Sequence, residues 1–203
     1  LDFARRGAKV VVNDFGGATD GTGGSTAASE AVVAEIKAAG GEAIANGADV
    51  SDEAQVKAMV DQAMAEWGRV DVVVANAGIL RDKTFIKMEM DDFRKVLDVH
   101  LMGTVHCAKA VWAIMREQGY GRLVFTTSSS GMYGNFGQSN YGAAKMGIVG
   151  LMNVLTQEGA KYNIHVNTIS PTASTRMTEE LFDEATNEIL TPESITPAVV
   201  YLA

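Results

Sequence analysis

Tyr141 and Lys145 stand four residues apart in the run Tyr141-Gly142-Ala143-Ala144-Lys145, and Lys145 is the only charge between Arg122 and Glu158. Residues i and i+4 share a helix face, so the ammonium can lie beside the phenol. From Gly142 to Leu155 apolar residues cover the whole circumference of such a helix, which predicts burial on more than one face. A lysine in that setting is costly without a partner or a task. A free phenol titrates near about 10, and lowering it by roughly three units takes ~4 kcal/mol, which a cation in a low-dielectric pocket can supply. The spacing therefore predicts a Tyr141 able to give or take a proton near neutrality. The alternative is a surface helix on which the pair falls by chance.

Thirteen residues before Tyr141 stands Ser128, in Leu123-Val124-Phe125-Thr126-Thr127-Ser128-Ser129-Ser130-Gly131. An apolar β run passes there into hydroxyls and glycine, as a buried parallel strand does at its carboxyl end, the edge where open α/β sheets bind ligands. A hydroxyl at that place can hold a carbonyl or alcohol oxygen while Tyr141 moves the proton. A capping or turn serine is the other reading, one that Ser129 and Ser130 fit better.

Ser128, Tyr141 and Lys145 at this spacing, with Val74-Ala75-Asn76-Ala77-Gly78 upstream, resemble the short-chain dehydrogenase/reductase family over essentially the whole chain. Val12-Asn13-Asp14-Phe15-Gly16-Gly17, Asn76 to Asp82, Val99-His100-Leu101 and Tyr133 to Gln138 further resemble the (3R)-hydroxyacyl-CoA dehydrogenase units of multifunctional type 2 enzymes and their bacterial relatives. The resemblance implies an NAD-dependent enzyme that interconverts a secondary alcohol and a ketone, on a 3-hydroxyacyl thioester or, failing that, a steroid or polyketide-like compound. It makes Tyr141 the acid/base and Ser128 the residue that orients the oxygen. Lys145 would hold the ribose and lower the tyrosine pKa. It also implies that His100, where most members carry asparagine, relays protons through its backbone carbonyl.

The cofactor side follows from the same resemblance. Asp14 ends a strand where a carboxylate can accept from the ribose hydroxyls of NAD and repel the phosphate of NADP, unless it is a turn aspartate. Asp49 and Val50 match the pair that meets the adenine, with Ser51 as N-cap of the next helix. Asn76 and Gly78 match the turn under the nicotinamide, with simple bracing of the strand as a second role for Asn76. Ser170-Pro171-Thr172-Ala173 replaces the usual Pro-Gly turn, and Ala173, Ser174 and Thr175 can still offer amides and hydroxyls. The segment Gly16 to Ser25 is too long for a phosphate turn and reads as a loop beside the adenosine. The acidic stretch Met177 to Ile195 reads as a substrate lid or a surface helix.

The elements that position these residues alternate along 203 residues without a linker or repeat. Strands are expected at Lys9–Asn13, Ala43–Ala45, Val72–Ala75, Arg122–Thr127 and Ile164–Ile169. Helices are expected at Thr26–Ala39, Asp52–Trp67, Asp91–Gln118 and Tyr141–Lys161, with shorter ones at Glu179–Glu188 and Pro192–Ala203. Continuous apolar strands indicate a doubly wound parallel α/β sheet, Rossmann-like, in one domain over 1–203. In the family a first strand and glycine-rich turn precede the helix whose tail is Leu1 to Gly7. The chain is thus expected to lack that strand and turn, and a last strand beyond Ala203. A truncated remnant without catalysis is the alternative to an enzyme.

A formal charge of −8 argues against a nucleic-acid or anionic-membrane surface. A single cysteine, Cys107, suits a reducing compartment such as the cytoplasm and reads as core filler. His100, His106 and His165 have no metal-ligand spacing, so no metal is expected. The apolar helix after Tyr141, with Gly147 and Gly150, and a stripe of Ala108, Val111, Trp112 and Met115 on the preceding helix, predict pairing with copies in a homodimer or homotetramer.

Overall fold

Parallel strands with helical crossovers dominate the computed structural model, which describes residues 1–175 and 183–203. Strand β1 (Val10–Asn13) pairs in parallel with β2 (Ala43–Asn46), Val10 opposite Ala43. A three-stranded parallel sheet runs in the order β3 (Val72–Ala75), β4 (Gly121–Thr126), β5 (Ile164–Ile169). Leu123, Val124 and Phe125 of β4 are fully buried, as the middle strand of a sheet covered on both faces must be. The α/β class with parallel strands is as expected, although the ladder is hydrogen-bonded in two parts rather than one.

Loops tie the two parts together at their carboxyl ends. The Thr19 carbonyl accepts from Leu80 N at 2.9 Å and the Asp20 carbonyl from Arg81 Nε at 2.8 Å. The expected adenosine loop, Gly16 to Ser25, thus rests on the segment after β3. From the next crossover, the Val50 carbonyl is bonded by His106 Nδ1 at 2.9 Å.

Helix α1 (Asp2–Arg5) precedes β1, and α2 (Ala27–Ala38) and α3 (Glu53–Trp67) follow β1 and β2. The N-cap of α3 is Asp52 rather than Ser51: its carboxylate accepts from Ala54 N and Gln55 N at 2.9 and 3.2 Å. Ser51 instead donates to Asp49 at 2.6 Å. The expected single helix Asp91–Gln118 is α4 (Met90–Leu97), a π turn (Asp98–Met102) and α5 (Gly103–Gln118). After β4 come a short α6 (Ser129–Tyr133), which polar, glycine-rich sequence does not announce, and α7 (Ser139–Gly159). At the carboxyl end lie α8 (Glu184–Ile189), a 3₁₀ turn (Pro192–Ser194) and α9 (Thr196–Leu202). Residues 176–182, and with them part of the expected lid and of the expected helix from Glu179, lie outside the described residues.

The main core packs Ala108, Val111 and Met115 of α5 against Leu123, Phe125, Ile148 and Val166. Three residues of the stripe expected to face a second copy therefore face the sheet of their own chain, where each fully buried aliphatic side chain contributes roughly 1.5–3 kcal/mol. Helix α7 is also one-sided. Ala144, Lys145 and Ile148 are buried, whereas Met146 and Val154 are 49% and 53% exposed and Gly150 faces open space.

Candidate active site

The end of β4 and the first turns of α7 are clasped by two hydrogen bonds. Lys145 Nζ donates to the Thr126 carbonyl at 2.7 Å, and the buried Thr127 hydroxyl donates to the Lys145 carbonyl at 2.8 Å. Ser128 follows directly, in extended backbone, and caps α6 by accepting from Ser130 N at 3.2 Å. Its hydroxyl lies close enough to the Tyr141 phenol to lower the phenol's pKa. The capping role and the site role, alternatives in the sequence, thus fall on the same side chain. Ser128, Tyr141 and Lys145 come together at the carboxyl edge of the sheet.

The electrostatics of the pair differ from expectation. Burial raises the Tyr141 phenol above its ordinary value, the Ser128 hydroxyl draws it back, and the Asp82 carboxylate adds to the rise. Burial pushes Lys145 down to about 8. The i, i+4 spacing does place Nζ near the ring, 5.4 Å from its centroid, but the ammonium is turned to the Thr126 carbonyl. In this arrangement desolvation, rather than the cation, sets the phenol's direction.

His100 sits in the π turn, 4% exposed, with its ring edge-on to Tyr141 at a centroid distance of 5.1 Å. Burial, with the Lys145 charge adding to it, pushes the imidazole down to about 4, so it is neutral at pH 7. Nε2 lies 2.8 Å from the Ile79 carbonyl and 3.1 Å from Ile79 N, and Nδ1 has no hydrogen-bond partner among the described residues. Gly78 is required by this ring. A Cβ there would sit inside the van der Waals shell of His100 Cε1 and 3.1 Å from Nδ1. The His100 carbonyl accepts from Thr104 Oγ1 at 2.7 Å and from a backbone N–H at the start of α5.

Apart from Tyr141 and Lys145, which lie on α7, the candidate cofactor residues among the described residues follow strands at their carboxyl ends. Asp14 closes β1, is exposed, and accepts from Gly16 N at 2.6 Å, so it is a turn aspartate and a ribose candidate at once. Asp49 is held below the usual carboxylate range: burial works against ionisation, and hydrogen bonds from Ser51 with the Lys95 charge outweigh it. Val50 packs its side chain into a cluster with Val56, Ile79, Val96, Val99 and Cys107, so any adenine contact falls to its backbone. Asn76 accepts from Thr126 Oγ1 at 3.0 Å, the bracing role. After β5, Ser174 N donates to the Leu190 carbonyl at 2.6 Å, and Ala173 and Thr175 flank it. An exposed carboxylate after β1 and a lysine after β4 form a donor and acceptor set that fits a dinucleotide.

Sequence reasoning gave no role to several residues that hold the site. Asn140, fully buried, donates to the Arg81 carbonyl at 3.0 Å and accepts from Tyr141 N at 2.8 Å, so it pins the start of α7 to the loop beneath His100. Its place beside Tyr141 was the available signal. Asp82 accepts from Gln138 Nε2 at 2.7 Å. Arg81 and Lys83 both reach Asp92, at 3.0 and 2.8 Å. Cys107 is buried and pushed up to about 11, a thiol and not a nucleophile. A cavity of about 530 Å³ opens beyond α6, lined by Phe85, Phe136, Gly142 and Met146 among others, and shares none of Ser128, Tyr141 and Lys145.

The family model described as short chain dehydrogenase matches residues 2–186. A short-chain type dehydrogenase/reductase of Mycobacterium tuberculosis is 53% identical over all of the chain and 71% of its own length. Peroxisomal multifunctional enzyme type 2 of Drosophila melanogaster is 50% identical over all of the chain, which spans 33% of that longer protein. The crystal structure of a short chain dehydrogenase from Mycobacterium avium superposes with a TM-score of 0.85 at 42% identity, covering 99% of this chain and 70% of that one.

Proposed function

Because the chain belongs to the short-chain dehydrogenases, a family of oxidoreductases, we propose that the protein interconverts a secondary alcohol and a ketone with NAD, its substrate a 3-hydroxyacyl thioester. The meeting of Ser128, Tyr141 and Lys145 at the carboxyl end of β4 carries this reading. In the oxidative direction the Tyr141 phenolate takes the proton of the substrate hydroxyl, and the Ser128 hydroxyl holds the same oxygen. Lys145, whose Nζ donates to the Thr126 carbonyl, would hold the ribose of a bound dinucleotide, and its charge would favour the phenolate. Bound NAD supplies the hydride acceptor. The neutral, buried His100, packed on Gly78, forms the wall beside Tyr141 without adding a charge to it.

Asp14 supports NAD over NADP, since an exposed carboxylate after β1 accepts from two ribose hydroxyls and repels a phosphate. The motifs shared with multifunctional enzyme type 2, and the identity with that relative over the whole chain, support the thioester class. A homodimer or homotetramer, joined across the outward face of α7, and a cytoplasmic setting with one buried thiol complete the reading. The test uses the full-length protein with 3-hydroxyacyl-CoA, followed by nicotinamide absorbance. The expected kcat/KM with NAD exceeds that with NADP by at least about tenfold, ~1.4 kcal/mol. Equal efficiency removes Asp14 from its role, and turnover of steroid or polyketide-like alcohols without turnover of the thioester replaces the substrate class.

A further inference from the structure

Helices α6 and α7 touch through glycine on both sides. A Cβ on Gly131 of α6 would lie 2.9 Å from Met146 N and 3.1 Å from both the carbonyl carbon and Cβ of Lys145. A Cβ on Gly142 of α7 would lie 3.1 Å from the Ser130 carbonyl oxygen. These obstacles are almost all backbone or its first side-chain carbon, so no rotamer change relieves them. Gly131 is also not among the glycines with positive φ, whereas Gly134, which ends α6, has φ 80°. Alanine at 131 is therefore conformationally allowed and even favours the helix. What forbids it is the approach of α7.

Ser128 immediately precedes α6, and Tyr141 and Lys145 lie on α7. The spacing of the two helices is thus the spacing of the three groups. We propose that Gly131 is a positioning residue that sets the distance of the Ser128 hydroxyl from the Tyr141 phenol, an inference that rests on the reading of Ser128, Tyr141 and Lys145 as the reacting groups. A methyl at 131 forces α6 outward by a fraction of an ångström. Misplacement approaching 1 Å costs on the order of 10²-fold in rate. The groups that face the phenol are the Ser128 hydroxyl, the Lys145 ammonium, the Asp82 carboxylate and the neutral His100. Of these, Ser128 alone moves with α6.

The experiment is Gly131→Ala in the full-length protein, with kcat, the KM for NAD and the pH profile of kcat/KM for alcohol oxidation. The expected result is a kcat about ten- to a hundredfold lower, with the KM for NAD little changed. The acid limb of the profile moves to higher pH, because the phenol loses the nearby hydroxyl that draws its pKa down. Loss of folded protein lowers the amplitude and leaves the limb in place, so the limb separates positioning from stability. Should Gly131→Ala not fold, Gly142→Ala, with its single contact, carries the same test with a smaller fall in kcat and the same direction of the limb. Wild-type kcat and an unmoved limb in the folded variant overturn the inference. An active Tyr141→Phe defeats the underlying reading, whereas an inactive Tyr141→Phe beside a wild-type-like Gly131→Ala defeats only the role of Gly131.

Discussion

Replacing Lys145 by methionine is predicted to stabilise the protein at neutral pH while removing its turnover. The lysine is 3% exposed, and burial lowers it from its ordinary 10.5 to about 8. The folded state therefore holds the proton less tightly than the unfolded chain by about 3 kcal/mol. Below pH 8 that cost is present in full, because both states are protonated. Between about 8 and 10.5 the native state has released the proton and the unfolded chain has not, so wild-type stability rises with pH through that window. Methionine keeps the stem and removes the charge. Against this gain stands the lost hydrogen bond from Nζ to the Thr126 carbonyl, worth about 1–2 kcal/mol with the acceptor left buried. The balance at pH 7 is about 1–2 kcal/mol in favour of the variant, which raises Tm by several degrees for a domain of this size. Urea titrations of both proteins at a series of pH values give the difference directly, since the other lysines and tyrosines titrate in both. The variant's advantage is expected to vanish and reverse as pH passes from 8 toward 10. A difference that stays constant over that range, or a variant less stable at pH 7, refutes the assignment of Lys145 as a strained, buried cation.

Two further outcomes follow from neighbouring groups. Asp82→Asn removes a negative charge that raises the Tyr141 phenol while keeping an acceptor for Gln138; the acid limb of kcat/KM for alcohol oxidation moves to lower pH, and an unmoved limb in a pH-rate series excludes the coupling. Gly150→Glu places a carboxylate in the open apolar face of α7 beside Met146 and Val154; light scattering at micromolar concentration is expected to show an oligomer for the wild type and a monomer for the variant, and an unchanged mass removes this face from the assembly.

Much of this architecture was legible because its signals are local. The bounds of β3 and β5 coincide with the expected Val72–Ala75 and Ile164–Ile169, and β5 alternates, with Ile164 and Val166 buried and His165 exposed. The closeness of Tyr141 to Lys145 and the place of Ser128 after β4 were legible because an i, i+4 pair and a strand end are written in spacing. What was not legible depends on tertiary contact. The π turn at Asp98–Met102 is tied to the His100 ring lying against Gly78 and Ile79. Periodicity marked Ala108, Val111 and Met115 as one face of a helix without saying that the face meets β4 and β5 rather than a second copy. The direction of the Tyr141 shift turned on where the Lys145 ammonium points, and the Thr126 carbonyl that claims it is nineteen residues away in sequence. Asp52 displaced Ser51 as a cap by a single residue, within the usual uncertainty of helix ends.

The most direct test of the account is the turnover of Tyr141→Phe in the full-length protein, with folding checked by circular dichroism and NAD affinity by titration. The ring and its edge contact with His100 persist, and only the ionisable oxygen is lost. The account predicts a kcat lower by about 10²–10⁴-fold or more with NAD affinity retained. Turnover within about twofold of wild type contradicts it, because the substrate's proton is then taken by a group other than the Tyr141 phenolate.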